Sequence, residues 1–495
     1  MPIMDEPTSL DPQIADSDSE KLVAANCYEG LVRIMADGTI GKGVATDWNI
    51  SDDGLTYTFK LRNNSHWAMF SGHKAVLGEN YEDTFDITVK AEDFKFGIER
   101  TLSEQTGSAD APLFSAVKSI STPDDFTIVF NLSYADDNFL YALTNPGAMP
   151  CDEEFFNLTN GKYGLDAKYL LCNGPFHVSK WTEKTSVKLA KNNEYNGESS
   201  VSPSSVTFYI NNDDSEVADK MNSVTYDVAF LSSSQFSSIE NKKDLNSVAV
   251  QNVTYSFIFN QNDNNYRNKN MRLAFCRSCD TSSLFDSQSD ISKADGIVPP
   301  SCKIGGEDYR NGNAAELLSY DETLAKKNFN DALLDLGSSS VETTILCTEQ
   351  YEPFVKQMVQ KLQKTLGVKF VSTVKVVSES DLEAAVNDGN YSVAFYPFKA
   401  KSSFAGEIIE GFDQNNIFGY ESDVLSQKIR NIKNNSGSLE GERSAVADAE
   451  NYLVSEAVIM PVFYENSYFV TSKKTSGIYF YSSADNVCFI NAKKS

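Results

Sequence analysis

Strand-like and helix-like segments alternate along this 495-residue chain, which predicts an α/β protein with several mixed sheets. Three segments carry that expectation. Leu55, Tyr57, Phe59 and Leu61 alternate with Thr56, Thr58, Lys60 and Arg62 behind the turn signal Asp52-Asp53-Gly54, the rhythm of a half-buried strand. Phe354, Met358, Leu362 and Leu366 recur at every fourth position, so 351–366 reads as an amphipathic helix. Val253-Thr-Tyr-Ser-Phe-Ile-Phe-Asn260 is rich in β-branched and aromatic residues and reads as a strand.

The remaining elements follow in chain order. An apolar helical stretch is expected over 22–31, then short strands with Gly and Asp turns over 33–62. Residues 63–90 read as an irregular polar loop with His66 and His73 exposed. Helical spacing of Ala91, Phe94, Ile98 and Leu102, with Glu92 and Asp93 in the first turn, predicts a helix over 90–102. Strands are expected over 127–132, 186–191 and 206–210, and residues 173–181 turn into another. A helix begins near Met271. A strand over 368–377 follows the helix at 351–366, and a strand over 391–396 leads into a polar loop. Residues 445–458 read as helix and 459–464 as strand. No fixed-period repeat stands out.

Composition narrows the function classes. At 41% hydrophobic residues the chain can bury a large core, yet it has no run of about 18 apolar residues, the length needed to span a membrane. A net charge of −26 repels phosphate backbones and argues against nucleic acid as a partner; it describes a solvated surface with weak steering of cations. The eight cysteines are scattered, and Cys276-Arg-Ser-Cys279 lacks the second pair or the histidines of a zinc site, so buried structural thiols are expected. There are three histidines, and neither G-x-S-x-G nor H-E-x-x-H occurs. No catalytic residue, metal ligand or cofactor is assigned.

Seven fragments in order resemble one family. These are Leu10-Asp11-Pro12 with Tyr28-Glu29-Gly30-Leu31; the turn and strand through Arg62; the helix at 90–102; Asn173-Gly174-Pro175-Phe176 with Trp181, Lys191-Asn192 and Tyr195; Tyr226-Asp227-Val228-Ala229; Arg272-Leu-Ala-Phe275 with Asp280; and Pro461-Val-Phe-Tyr464. Together they resemble the extracytoplasmic solute-binding proteins of the peptide/nickel ABC importer family. The resemblance implies a two-lobed, periplasmic-binding-protein-like (Venus-flytrap) α/β fold of the large class. Lobe I would comprise 1–33, 161–252 and 461–495, with an inserted subdomain at 34–160, and lobe II would comprise 253–460. The lobes would close on a ligand about a hinge.

The resemblance also implies ligand-lining positions. Asp16, Ser17 and Asp18 fall in a first-strand region that lines the cleft in relatives. Phe257 and Phe259 fall on the strand entering the second lobe. Tyr396, Phe398, Lys399, Lys401 and Ser402 fall on the loop after the strand at 391–396. Peptide-binding relatives carry on that loop an aspartate that pairs with the ligand's α-ammonium, and an ungapped alignment places Lys401 there. Two like charges about 4 Å apart at an effective dielectric near 20 repel by about 4 kcal/mol, roughly a thousandfold in affinity. Either Lys401 faces an anionic ligand group, or the loop is rebuilt and Asp16, Asp18 or Asp413 supplies the carboxylate. Phe398, with Trp67 or Phe70, would stack on a sugar or an apolar side chain, or simply pack. Phe395 stands where some peptide binders have an arginine.

The implied function is capture of a solute for an ABC importer, with a short peptide as the family's usual ligand and a membrane permease as partner. The alternatives are a non-peptide or anionic solute, a sensing role in the same fold, and a secreted hydrolase. A monomer is expected, extracytoplasmic in the periplasm or as a cell-surface lipoprotein. The expected export or lipidation segment would lie upstream of Met1.

Overall fold

The computed structural model describes all residues except 36–38, 137, 198, 282–284, 286–290, 400–403, 414–415, 436–437 and 481–486. The chain forms two compact units, Met1–Val250 with Tyr468–Ser495, and Gln251–Ser467.

Unit 1 opens with helix α1, Asp18–Cys27. Its start is set earlier than the apolar pattern suggests. Ser17 accepts from the Glu20 backbone N–H at 3.2 Å while Glu20 reaches back to the Ser17 N–H, a reciprocal capping box. Asp16, Ser17 and Asp18 are therefore the cap and first turn of a helix, not a strand. Strands β1 (Ala45–Ile50) and β2 (Thr56–Leu61), helix α2 (Ala91–Leu102), and strands β3 (Val117–Asp124) and β4 (Thr127–Leu132) follow. The four strands form an antiparallel sheet in the order β1-β2-β4-β3. On β2, Tyr57, Phe59 and Leu61 are buried and Lys60 is exposed, as the alternation requires. Strands β5 (Phe176–Thr182), β6 (Ser186–Lys191) and β7 (Ser205–Ile210) build a second sheet, joined in parallel by Pro2–Ile3. Strand β8, Val228–Ser232, also lies in this unit.

Residues 63–90 depart from the expected loop. They contain a 3-10 turn at Ser71–His73 and short helices at Lys74–Leu77 and Tyr81–Thr84. His73 is fully buried, not exposed. Its Nε2 lies 3.1 Å from the Leu170 carbonyl oxygen, and its ring meets Phe70 and Phe155 with centroids 4.3 and 5.4 Å apart. His66 is half-buried in a bridge to Thr88. The apolar run from Trp67 to Phe70 draws this segment onto the core, where Trp67 is fully buried.

Strand β9, Leu245–Phe259, passes from unit 1 into unit 2. Unit 2 continues with helices α3 (Lys269–Arg277) and α4 (Glu322–Leu336), then β10 (Val341–Thr348), α5 (Glu352–Leu366), β11 (Phe370–Val377), α6 (Glu379–Asn387) and β12 (Val393–Lys399). Helices α7 (Asp423–Asn434) and α8 (Leu439–Ser455) precede β13, Ile459–Ser472, which returns to unit 1. The strand order in unit 2 is β13-β9-β12-β10-β11, with Ile291–Lys293 also paired to β13. β10 is parallel to both β11 and β12, and β9 is antiparallel to β12. The crossover β10-α5-β11 moves one way across the sheet and β11-α6-β12 moves back. Both keep the right hand only if their helices take opposite faces. Accordingly Phe354, Met358 and Leu362 of α5 pack in one apolar layer with Phe257 and Phe259. Leu382 and Val386 of α6 pack in the other with Ile258.

Strand β12 runs further than the expected 391–396. Tyr396, Phe398 and Lys399 are strand residues, opposite Ser256, Thr254 and Val253 on β9. β10 pairs with β12 only at Val393 and Ala394, so the missing N–H of Pro397 forfeits no bond to β10.

Candidate functional site

The residues that carried the family resemblance are scaffold. In unit 1 the Asp11 carboxylate is gripped by Arg100, with contacts of 2.6 and 3.2 Å, and Arg100 also donates to Gln13 Oε1 at 2.6 Å. Glu29 pairs with Arg62 and accepts from the Tyr195 hydroxyl at 3.2 Å. Its backbone exchanges two hydrogen bonds with the Asn173 amide, at 2.8 and 3.0 Å. A Cβ at Gly174 would sit 2.7 Å from the Tyr28 backbone nitrogen, so only glycine fits there. In unit 2 the buried Arg272 donates to the carbonyls of Tyr266, Ala457 and Glu456 at 2.7 to 3.0 Å. Removing one partner of a buried ion pair such as Asp11–Arg100 or Glu29–Arg62 costs about 3–5 kcal/mol, which is reason enough for those residues without any ligand.

The expected ligand-lining residues do not come together as a group. Asp16 is exposed beside the cap of α1. Phe257 and Phe259 are fully buried, packed on Phe275 with centroids 5.3 and 5.1 Å away, so their side chains serve the core of unit 2. Tyr396 and Phe398 are half-buried neighbours at 5.6 Å, and Phe398 stacks on Phe412 and Phe418. Trp67 belongs to the unit 1 core, and Phe70 stacks on His177 at 5.5 Å. Lys401 and Ser402 lie outside the described residues. Phe395 is buried among aromatic rings.

Topology identifies a different part of unit 2. The chain leaves β10 toward one face of the sheet, into α5, and leaves β12 toward the other, where Ala405 and Ile409 pack. Neighbouring strands with divergent exits leave a crevice outside their carboxyl ends. At the end of β10 stands the turn Glu349–Tyr351, followed by α5. Tyr351 packs on Tyr255 of β9 with centroids 4.4 Å apart, and both rings approach Phe463 of β13, at 5.5 and 5.1 Å. The Tyr351 hydroxyl donates to Glu465 and accepts from Gln350 Nε2 at 3.1 Å. Glu465 is half-buried, and no cation lies within ion-pair distance of it among the described residues. Burial pushes its carboxyl up and Glu379 adds to the push, against the hydrogen bonds from Tyr351 and Gln350. Sequence reading missed this group because its members are spread over residues 255 to 465; the one local signal is a charged residue directly after the apolar run 459–464.

On the other face of β9, the buried hydroxyls of Thr254 and Ser256 have no hydrogen-bond partner among the described residues. A separate cavity of about 200 Å³ lies between Cys276, Lys293, Leu318 and Pro461. Burial pushes the Cys276 thiol up to about 12, which keeps it protonated and unreactive at neutral pH. Among the described residues no three His, Cys, Asp or Glu side chains gather as a metal site, and no helix is long and apolar enough to cross a membrane.

A model of the bacterial extracellular solute-binding proteins, family 5 (middle region), matches residues 39–418. The dipeptide-binding protein DppE of Bacillus subtilis is 24% identical over 96% of this chain and 88% of its own. Among solved structures, a dipeptide-binding protein from Pseudoalteromonas sp. SM9913 in complex with Met-Leu superposes with a TM-score of 0.80, at 17% identity over 100% of this chain and 99% of the other. The binding protein AgaA from A. tumefacien R10, in complex with agropinic acid, gives 0.75 at 17% identity over 99% and 97%. At these identities the structures establish a shared fold.

Proposed function

Because the chain belongs to the family 5 bacterial extracellular solute-binding proteins, we propose that it captures a short peptide through main-chain contacts and delivers it to the permease of an ABC importer. The observation that supports peptide as the ligand is the likeness to a dipeptide-binding protein over 96% of the chain. The family is one of binding proteins, not enzymes. A carrier needs no catalytic group; it needs a ligand that favours one conformation over another by a few kcal/mol. On this reading the chain closes on its ligand about strands β9 and β13, each of which passes from one unit into the other. The finer division proposed is 1–33, 161–252 and 461–495 for lobe I, 34–160 for its subdomain and 253–460 for lobe II. The protein acts as a monomer outside the cytoplasm.

A second reading keeps the carrier role and replaces the peptide by an anionic solute. Lys401, at the position where peptide binders carry an aspartate, favours it, and so does the agropinic acid held by AgaA. Isothermal titration with a mixture of two- to five-residue peptides, and separately with opine and sugar acids, divides the two. Heat of binding with peptides alone is the expected result. Saturable binding of the acids without binding of peptides would overturn the first reading in favour of the second.

A further inference from the structure

Several deeply buried carboxylates in this protein are met by a cation. Asp11 meets Arg100, Glu29 meets Arg62, and Glu450 meets Arg310 together with the N–H groups of Ile297 and Val298. Glu20 lies at a helix cap, where four backbone N–H groups surround it. Glu465 is different. Its partners are neutral, the Tyr351 hydroxyl and the Gln350 amide, and the charge acting on it is that of another carboxylate, Glu379. Holding an ionised carboxylate partly out of water without a counter-charge is unfavourable by several kcal/mol. Glu465 stands near the carboxyl ends of β10 and β12, beside the turn Glu349–Tyr351 and across from Tyr255 of β9.

The surroundings fit a cation. The Tyr351 ring is buried against Phe395 and Phe463, whereas Tyr255, packed on it at 4.4 Å, is half-buried beside the carboxylate, and an aromatic ring attracts an ammonium or guanidinium brought against it. Tyr255 and Glu465 are both half-buried, so the group is reachable from outside the unit 2 core. An apolar side chain placed there would leave Glu465 as unmatched as before, and a carboxylate would add a third negative charge to Glu465 and Glu379.

We propose that Glu465, held by the buried Tyr351 hydroxyl and flanked by the half-buried ring of Tyr255, forms a subsite for a positively charged side chain of the ligand, so that the preferred peptides carry lysine or arginine. This inference rests on the peptide reading given above. It assigns to a strand residue of β13 a selectivity role separate from the loop that bears Lys401.

The test uses the full chain and tripeptide twins, with lysine or norleucine scanned through each of the three positions in an alanine background. Norleucine keeps the hydrocarbon stem and deletes the charge. For the best lysine position, the expected result is binding about tenfold or more tighter than its norleucine twin, the range of a close charge pair at a partly dry site. In Glu465→Gln, which keeps an oxygen to accept from Tyr351, that ratio falls to about one. Tyr351→Phe removes a neutral donor and keeps the carboxylate; the lysine preference persists or rises. Equal affinity of the twins in the unaltered protein, or a lysine preference that survives Glu465→Gln, overturns the subsite with the peptide reading intact. Failure of all twins to bind overturns the peptide reading and the subsite with it.

Discussion

Replacing Asp11 by alanine should weaken unit 1 severely and leave ligand selectivity alone. Arg100 is 11% exposed and Asp11 5%, so the substitution strands a guanidinium in a nearly dry site. Loss of one partner of a buried pair costs about 3–5 kcal/mol. Loss of the Asp11 side chain also removes the cap that accepts from the Gln13 backbone N–H at 3.1 Å, about 1 kcal/mol more. Contacts with Gln13 Oε1 at 2.6 Å, Cys151 Sγ at 3.5 Å and the faces of Phe156 and Tyr163, 4.1 and 5.5 Å from the guanidinium, survive and offset part of this, the Phe156 face by about 1 kcal/mol. The net expectation is about 4 kcal/mol. All three tryptophans, Trp48, Trp67 and Trp181, lie in unit 1, so urea unfolding followed by tryptophan fluorescence reads that unit alone. The double variant Asp11→Ala with Arg100→Met removes both charges and should recover more than half of the loss, because a buried pair exchanged for apolar groups is near neutral. A loss below about 1 kcal/mol, or a double variant no more stable than Asp11→Ala, would refute the scaffold role assigned to this signature residue.

Three further outcomes are expected. Burial lowers the pKa of His73 to about 4, against a smaller upward pull from the Leu170 carbonyl, with His177 lowering it further. The folded state therefore prefers the neutral ring. Its contribution is complete above the unfolded pKa near 6.5 and lost as pH falls toward 4, about 3 kcal/mol across that window. Urea midpoints of the unaltered protein and His73→Gln should diverge over that window; parallel pH profiles would contradict it. Thiol labelling of the native protein at pH 8 should reach Cys488, the one half-buried cysteine, well before the seven buried ones, and fast labelling of Cys276 or Cys279 would contradict their structural reading. Phe257→Ala should cost about 3–5 kcal/mol in unit 2, read by hydrogen exchange, without changing which solutes bind. A changed ligand preference at full stability would show that this ring meets the ligand after all.

Local periodicity carried much of the fold. Strand β4 spans the expected 127–132, and α5 begins at Glu352, one residue after the expected start. Failures came where a local rule met a tertiary one. A strand over 391–396 is expected, yet β12 continues through Pro397 to Lys399, where it pairs with β9 and no longer with β10. Polar neighbours around His73 read as exposed, yet Trp67 and the residues after it pull the segment into the core. Ser17 reads as part of a strand by likeness to relatives, although the Ser-x-x-Glu spacing of a capping box is visible in the chain. The candidate site was the least legible. The signature residues announce the family because they hold its scaffold, whereas Tyr255, Tyr351 and Glu465 are brought together only by strand order.

Mass spectrometry of the natively purified protein, followed by its denatured small-molecule extract, tests the carrier assignment most directly. The account predicts a bound species that resolves on denaturation into short peptides, enriched in lysine or arginine. A single non-peptide acid or sugar in the extract would contradict it.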